Sequence, residues 1–129
     1  MLIPRSKLNV KDNSGIIIVQ CIQVRKSKKT QKPCKIGDFL KATIKKGSAK
    51  SQTQRLKKLT ASECLRDLVV IQTKSALRRL DGSAIRFNAN CGVTVNERKL
   101  PLFKRVTSVV PFELKKSCGP VLNLAKNVI

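Results

Sequence analysis

Apolar residues along this chain alternate with polar ones, or cluster, at strand length far more than at helical spacing. "GIIIVQCIQV" (15–24) is rich in β-branched residues and follows the turn signal Asp12-Asn13-Ser14-Gly15, which predicts a strand. "DFLKATIKK" (38–46) puts Leu40, Ala42 and Ile44 on one face and Lys41, Thr43 and Lys45 on the other, the pattern of a half-buried strand with a cationic outer surface. "DLVVIQTK" (67–74) is a nearly continuous apolar run of strand length, and "SAIRFNANCGVTVN" (83–96) reads as two strand pieces with an irregularity at Gly92. Short strands joined by turns, with helix scarce until the end, predict a mainly β fold. A small closed or partly open β-barrel fits best, because closure leaves few strand edges exposed.

Two stretches depart from the strand pattern. From residue 45 to about 66, beginning "KKGSAKSQTQRLKKLT", the chain is polar, basic and poor in carboxylates, an excursion whose order depends on a partner. Within it "TASECLRDL" (60–68) starts like a capped helix, with Thr60 three residues before Glu63, and Glu63 and Asp67 would share a helical face. The end, 111–129, predicts short helices: one around Phe112 to Ser117 stopped by Gly119 and Pro120, then a second apolar turn or helix.

The 129 residues suit one domain, 1–129, and 41% hydrophobic content is enough for a core. Charge changes the picture most. Against 28 Lys and Arg stand seven Asp and Glu, a formal net charge of +21. Such self-repulsion destabilises a compact domain unless a polyanion offsets it, and nucleic acid is the commonest one in a cell.

Other classes recede on the residues present. The longest uncharged stretch, Asn13 to Val24, is too short and too polar to span a bilayer, so no membrane is expected. "MLIPRSK" lacks the apolar segment of a secretory signal and is too short for a transit peptide; the chain is made where it works, or a presequence has been removed. Five cysteines at wide spacing, no Cys-x-x-Cys pair and no histidine give neither a disulfide framework nor a metal site, and suit buried thiols in a reducing compartment. Without histidine the usual general base is missing, and no paired carboxylates or glycine-rich phosphate loop stand out. Asp12, Asp38 and Asp81 each sit where a short side-chain oxygen caps a turn. Neither an enzyme nor a cofactor is expected.

Four phenylalanines and no tyrosine or tryptophan leave few platforms for unpaired bases. The cations are spread over every segment, which suits a protein surrounded by the backbone of structured RNA better than one that reads a DNA groove. Two rivals share the charge: a free histone-like or RNA-chaperone protein, and a cationic protein-interaction or membrane-surface module. The latter lacks a long basic amphipathic helix.

Four blocks then carry a resemblance: "LNVKDNSGIIIVQCIQV" (8–24), "IGDFLKATIKK" (36–46), "VVIQTKSALRRLDGSAIRFNANCGVTVN" (69–96) and "FELKK" (112–116). In this order, and above all in the spacing Asp81-Gly82, four residues, Phe87, two residues, Asn90, two residues, Val93, the chain resembles the large-subunit ribosomal protein fourteen family. The resemblance implies a five-stranded β-barrel with a projecting β-ribbon, and a non-catalytic place in the large ribosomal subunit. Its implied partners are large-subunit rRNA, neighbouring large-subunit proteins, small-subunit rRNA at an intersubunit bridge and, in bacteria and organelles, a ribosome-silencing factor.

Departures from the family pattern are informative. Ile16 and Ile17 replace an Ala-Arg pair, Leu80 replaces the proline before Asp81-Gly82, Ser108-Val109 replaces a Gly-Pro, and the Lys46 to Leu68 region is longer and lacks its usual glycines. Such drift at bacterial-type length suggests an organellar ribosome, mitochondrial before plastid or bacterial cytoplasm. Lys104 and Arg105 fall where the family has an interface Thr-Arg pair; with Lys115 and Lys116 they form the expected intersubunit or assembly-factor surface. For rRNA phosphates the candidates are Lys74, Arg78, Arg79 and Arg86 around the Asp81-Gly82 turn, then Lys45, Lys46, Lys50, Arg55, Lys57 and Lys58 along the excursion.

Overall fold

The computed structural model describes residues 2–25, 33–47 and 64–129. Along the chain run β1 (Lys7–Val10), β2 (Ile16–Arg25), β3 (Phe39–Gly47), β4 (Leu65–Gln72), β5 (Leu77–Arg78), β6 (Ala84–Ile85) and β7 (Cys91–Val95). A 3-10 turn (Phe112–Leu114) then leads into helix α1 (Lys115–Asn123). Five strands close a barrel in the order β1-β2-β3-β4-β7, while β5 and β6 form a separate hairpin. Every barrel pair is antiparallel except β1 with β7. The expected closed five-stranded barrel is therefore present.

The barrel is small, and its bore is filled by side chains. Leu8, Val10, Val19, Cys21, Leu40, Ala42, Leu68 and Val70 make one buried cluster. In the ladder Leu68 lies opposite Thr94 and Val70 opposite Gly92, so β7 presents only small residues beside these large ones. A Cβ at Gly92 would stand 3.1 Å from the Val69 carbonyl oxygen and 3.3 Å from Leu68 Cδ2, closer than packing allows without movement. The irregularity expected here exists, and it is a register shift between Val70 and Gln72 on the partner strand. Further shifts in the β2–β3 pairing let ten-residue β2 bend around the barrel.

The other face of β4 and β7 forms a second core. Val69, Ile71, Cys91, Val93 and Val95 pack against Val106, Val110, Leu114, Cys118 and Val121 of the C-terminal segment. Leu68 to Ile71 are all buried because β4 is covered on both sides, once by the bore and once by this segment. The last residues return alongside residues 106–112. Val110 N–H donates to Asn127 O (3.0 Å), Ile129 N–H to Val110 O (3.0 Å) and Phe112 N–H to Ile129 O (2.7 Å).

Asp12 ties the turn before β2 to β7. Its Oδ1 accepts from Ser14 N–H (2.9 Å), capping the turn, and its Oδ2 accepts from the N–H (3.0 Å) and hydroxyl of buried Thr94 on β7. Asp38 likewise caps its turn by accepting from Lys35 N–H at 2.6 Å.

One local expectation is corrected. The capped helix expected over 60–68 gives way at its described end to β4, which starts at Leu65. Asp67 is consequently on a strand, opposite Lys41 of β3 and Val95 of β7, with Arg25 Nη2 at 3.3 Å from its Oδ1. Pairing on both edges and burial of Val69, Val70 and Ile71 outweigh a local cap signal. Thr60 and Glu63 lie outside the described residues. At the C-terminal end the expected stop is present: helical geometry breaks at Cys118 (φ −153°, ψ 73°), just before Gly119 and Pro120, and a second short helical stretch follows to Asn123. Pro120 cannot donate to the carbonyl four residues back, so the chain leaves helical geometry just before it. The buried Cys118 thiol there donates to Lys99 O at 3.2 Å.

All five cysteines are free thiols; Cys21, Cys34, Cys91 and Cys118 are buried and Cys64 is half-buried. Burial pushes the thiols of Cys21, Cys91 and Cys118 up, which keeps them protonated and poorly reactive. Among the described residues no helix is long and apolar enough to cross a membrane.

Candidate nucleic-acid interface

The β5–β6 hairpin is built so that its tip has one shape. Gly82 N–H donates to Arg79 O (3.2 Å) and Arg79 N–H to Ser83 O (2.9 Å), which closes a tight turn through Leu80 and Asp81. Gly82 holds φ +85°, a conformation that costs a residue with a Cβ. Asp81 Oδ1 accepts from Ser83 N–H (2.9 Å) and Ser83 Oγ (2.7 Å). The Ser83 side-chain bond first, then its backbone bond, hold the Asp81 carboxyl below the usual range. The aspartate is thus turned inward on its own loop.

The base of the hairpin is braced as firmly. Asn90 Oδ1 accepts from Lys74 N–H at 2.9 Å, Asn90 O accepts from Asn9 N–H at 3.0 Å, and Arg86 Nε donates to Lys74 O at 3.0 Å. Phe87 N–H reaches Thr73 O at 3.2 Å. The spacing from Asp81 to Val93 thereby acquires a physical meaning: a turn cap, a left-handed glycine, a brace on the preceding loop and a core valine.

The sequence candidates separate into distinct groups. Lys74, Arg78 and Arg86 are exposed around this one hairpin, and the Arg78 side chain has no hydrogen bond or ion pair among the described residues. Arg79 behaves differently. Its Nε and Nη2 both donate to the Glu113 carboxylate, the second at 3.2 Å, and Nη2 also donates to Ile129 O at 2.9 Å. The bond to Glu113 raises the Arg79 guanidinium, and the same bond holds the Glu113 carboxyl below the usual range. The fork expected to take a phosphate is already engaged with the chain's own carboxylate.

Lys45 and Lys46 are exposed near the end of β3. Because Phe39 pairs with Val69 and Thr43 with Leu65, that end lies away from Gln72 and the hairpin that follows it. Lys50, Arg55, Lys57 and Lys58, with most of the expected ribbon, lie outside the described residues. Lys104 and Arg105 are exposed just before buried Val106, which bridges to Asp12 and Ala125. Lys115 and Lys116 instead line a groove with Arg78 and Arg79, so the fold brings together residues that the sequence alone assigns to different surfaces.

Glu113 and Phe112 are the residues that sequence reasoning missed. One signal was available: Glu113 is the only carboxylate side chain after Glu97 in a strongly basic chain, and an isolated acid there favours a specific cation as partner. Among the described residues no group of three or more His, Cys, Asp or Glu is placed to hold a metal ion.

The barrel, the braced Asp81-Gly82 hairpin and the C-terminal segment account for every one of the four sequence blocks within a single structure. A family model agrees over the full length: residues 1–129 match the one described as Ribosomal protein L14p/L23e. The chain belongs to that family of ribosomal proteins, structural constituents of the large ribosomal subunit.

Proposed function

We propose that this chain binds large-subunit rRNA through at least two separate cationic surfaces and stands at the intersubunit face. The observation that carries the reading is the cluster of Lys74, Arg78 and Arg86 on a hairpin fixed by Asn90 and by the Asp81–Ser83 cap. Rigid placement lowers the ordering cost when a guanidinium meets a phosphate, and the sole acid of the tip is satisfied internally. Arg79 supports binding indirectly, as the residue that positions the tip. Lys45 and Lys46 lead a second surface, and Lys50, Arg55, Lys57 and Lys58, which follow them in the sequence, are further phosphate partners. Lys104 and Arg105 serve the small-subunit bridge or a silencing factor, whereas Lys115 and Lys116 face the groove they share with Arg78 and Arg79. Divergence from the family pattern supports a mitochondrial ribosome.

The test is retention of the chain by large subunits through a salt wash. Arg78→Glu with Arg86→Glu should release it at lower salt than the wild type, with the barrel still folded by circular dichroism. Each phosphate left without its cation should also flatten the salt dependence by about one unit of slope. Retention and slope equal to those of the wild type would defeat the reading.

A further inference from the structure

Beside the braced hairpin lies an open groove of about 930 Å³. Its walls are mostly apolar: Leu80 at the turn tip is fully exposed, and Phe112 and Ile129 are 55% and 49% exposed. Its rim carries Arg78, Lys115 and Lys116. Two carboxylates also line it, yet Asp81 is satisfied by Ser83, and Glu113 by Arg79. The charge left for a visitor is therefore cationic, around an apolar floor.

We propose that this groove is a docking site for a protein segment in which apolar residues stand between carboxylates. Three observations favour protein over RNA. Phosphate gains nothing from Leu80 and Ile129, whereas an apolar side chain gains from all the surface it dries. Of the two guanidinium forks on the groove, Arg79 is already held at Nε and Nη2 by Glu113, which leaves Arg78 alone to grip a phosphate. A base stacking on Phe112 would compete with Lys115, whose Nζ stands 5.4 Å from the ring centroid. Acidic flanks would meet Arg78, Lys115 and Lys116, which sets orientation and speeds encounter. Leu80 supplies the anchor: fully exposed at the turn tip, it extends the apolar patch made by Phe112 and Ile129.

The proposal rests on membership of the subunit only for where the partner is met. The probe is p-benzoylphenylalanine in place of Leu80, in the full chain assembled into large subunits and irradiated. One protein segment should cross-link, its mapped peptide having apolar residues between carboxylates, and Phe112→Ser should reduce the yield at least tenfold. A cross-link to rRNA, a peptide without carboxylates, a yield unchanged by Phe112→Ser, or no cross-link would each overturn the proposal. The rRNA reading fails separately, through unchanged salt retention of a Lys74→Glu, Arg86→Glu variant, since neither residue lines the groove.

Discussion

Arg79 and Glu113, 34 residues apart in the chain, hold each other by two hydrogen bonds and so tie the β5–β6 hairpin to the entrance of the C-terminal helix. The third bond, from Arg79 Nη2 to Ile129 O, brings the last residue into the same knot. Neither side chain is deeply buried, their exposures being 28% and 33%. The pair therefore fixes geometry more than it stabilises the whole fold.

Glu113→Gln should separate these two effects. The amide loses the charge and one of two acceptors, so the hairpin and the last residues loosen while the barrel remains. Hydrogen exchange at the amides of Gly82 and Phe112 should quicken by roughly tenfold, as local opening becomes easier. The melting temperature should move little. A large drop in melting temperature with unchanged exchange at these amides would show that the pair supports the core instead.

Acid should undo the same latch in a defined window. The Glu113 carboxyl is held below its ordinary value of 4.5, chiefly by the hydrogen bond from Arg79. A carboxyl depressed on folding contributes stability that is fully present above its unfolded value and is lost as pH falls through its folded value. The latch should thus hold at neutral pH and open below pH 4.5, while Arg79 keeps its charge throughout. Methyl signals of Leu80 and Ile129 should shift together in that range. In Glu113→Gln that coupled acid step should be absent; its persistence there would assign the step to another carboxylate, Asp81 being the nearest candidate on the loop.

The barrel was legible in the sequence because its cause is local. Leu40, Ala42 and Ile44 alternate with cations, and Leu68 to Ile71 run apolar without a break, so a one-faced and a two-faced strand could be told apart. What covers the second face of β4 was not legible, since Val106, Val110, Leu114 and Val121 come from a segment with no strand pattern of its own. The arginines of the tip were found by composition, but their division of labour was hidden. Adjacent Arg78 and Arg79 look alike until Glu113 arrives from 34 residues away to occupy one of them. Asp67 misled for the opposite reason: a nearby cap signal suggested helix, and the deciding partners, Lys41 and Val95, lie on other strands.

The second core can be tested where it meets the helix entrance. Leu114 is fully buried in one cluster with Val69, Val93 and Val110, although it belongs to a 3-10 turn of only three residues. If the C-terminal segment were an appendage, truncating Leu114 would fray that segment and leave the barrel's unfolding unchanged. The shared cluster argues otherwise, because β4 contributes to both cores and cannot lose one face without exposing apolar surface. Leu114→Ala should cost about 2–5 kcal/mol, the range for an aliphatic side chain removed from a packed interior. Denaturant unfolding followed by circular dichroism should show one transition at a lower midpoint with an unchanged slope. Two transitions, the earlier confined to residues 106–129, would mean that the segment folds onto a barrel already complete without it.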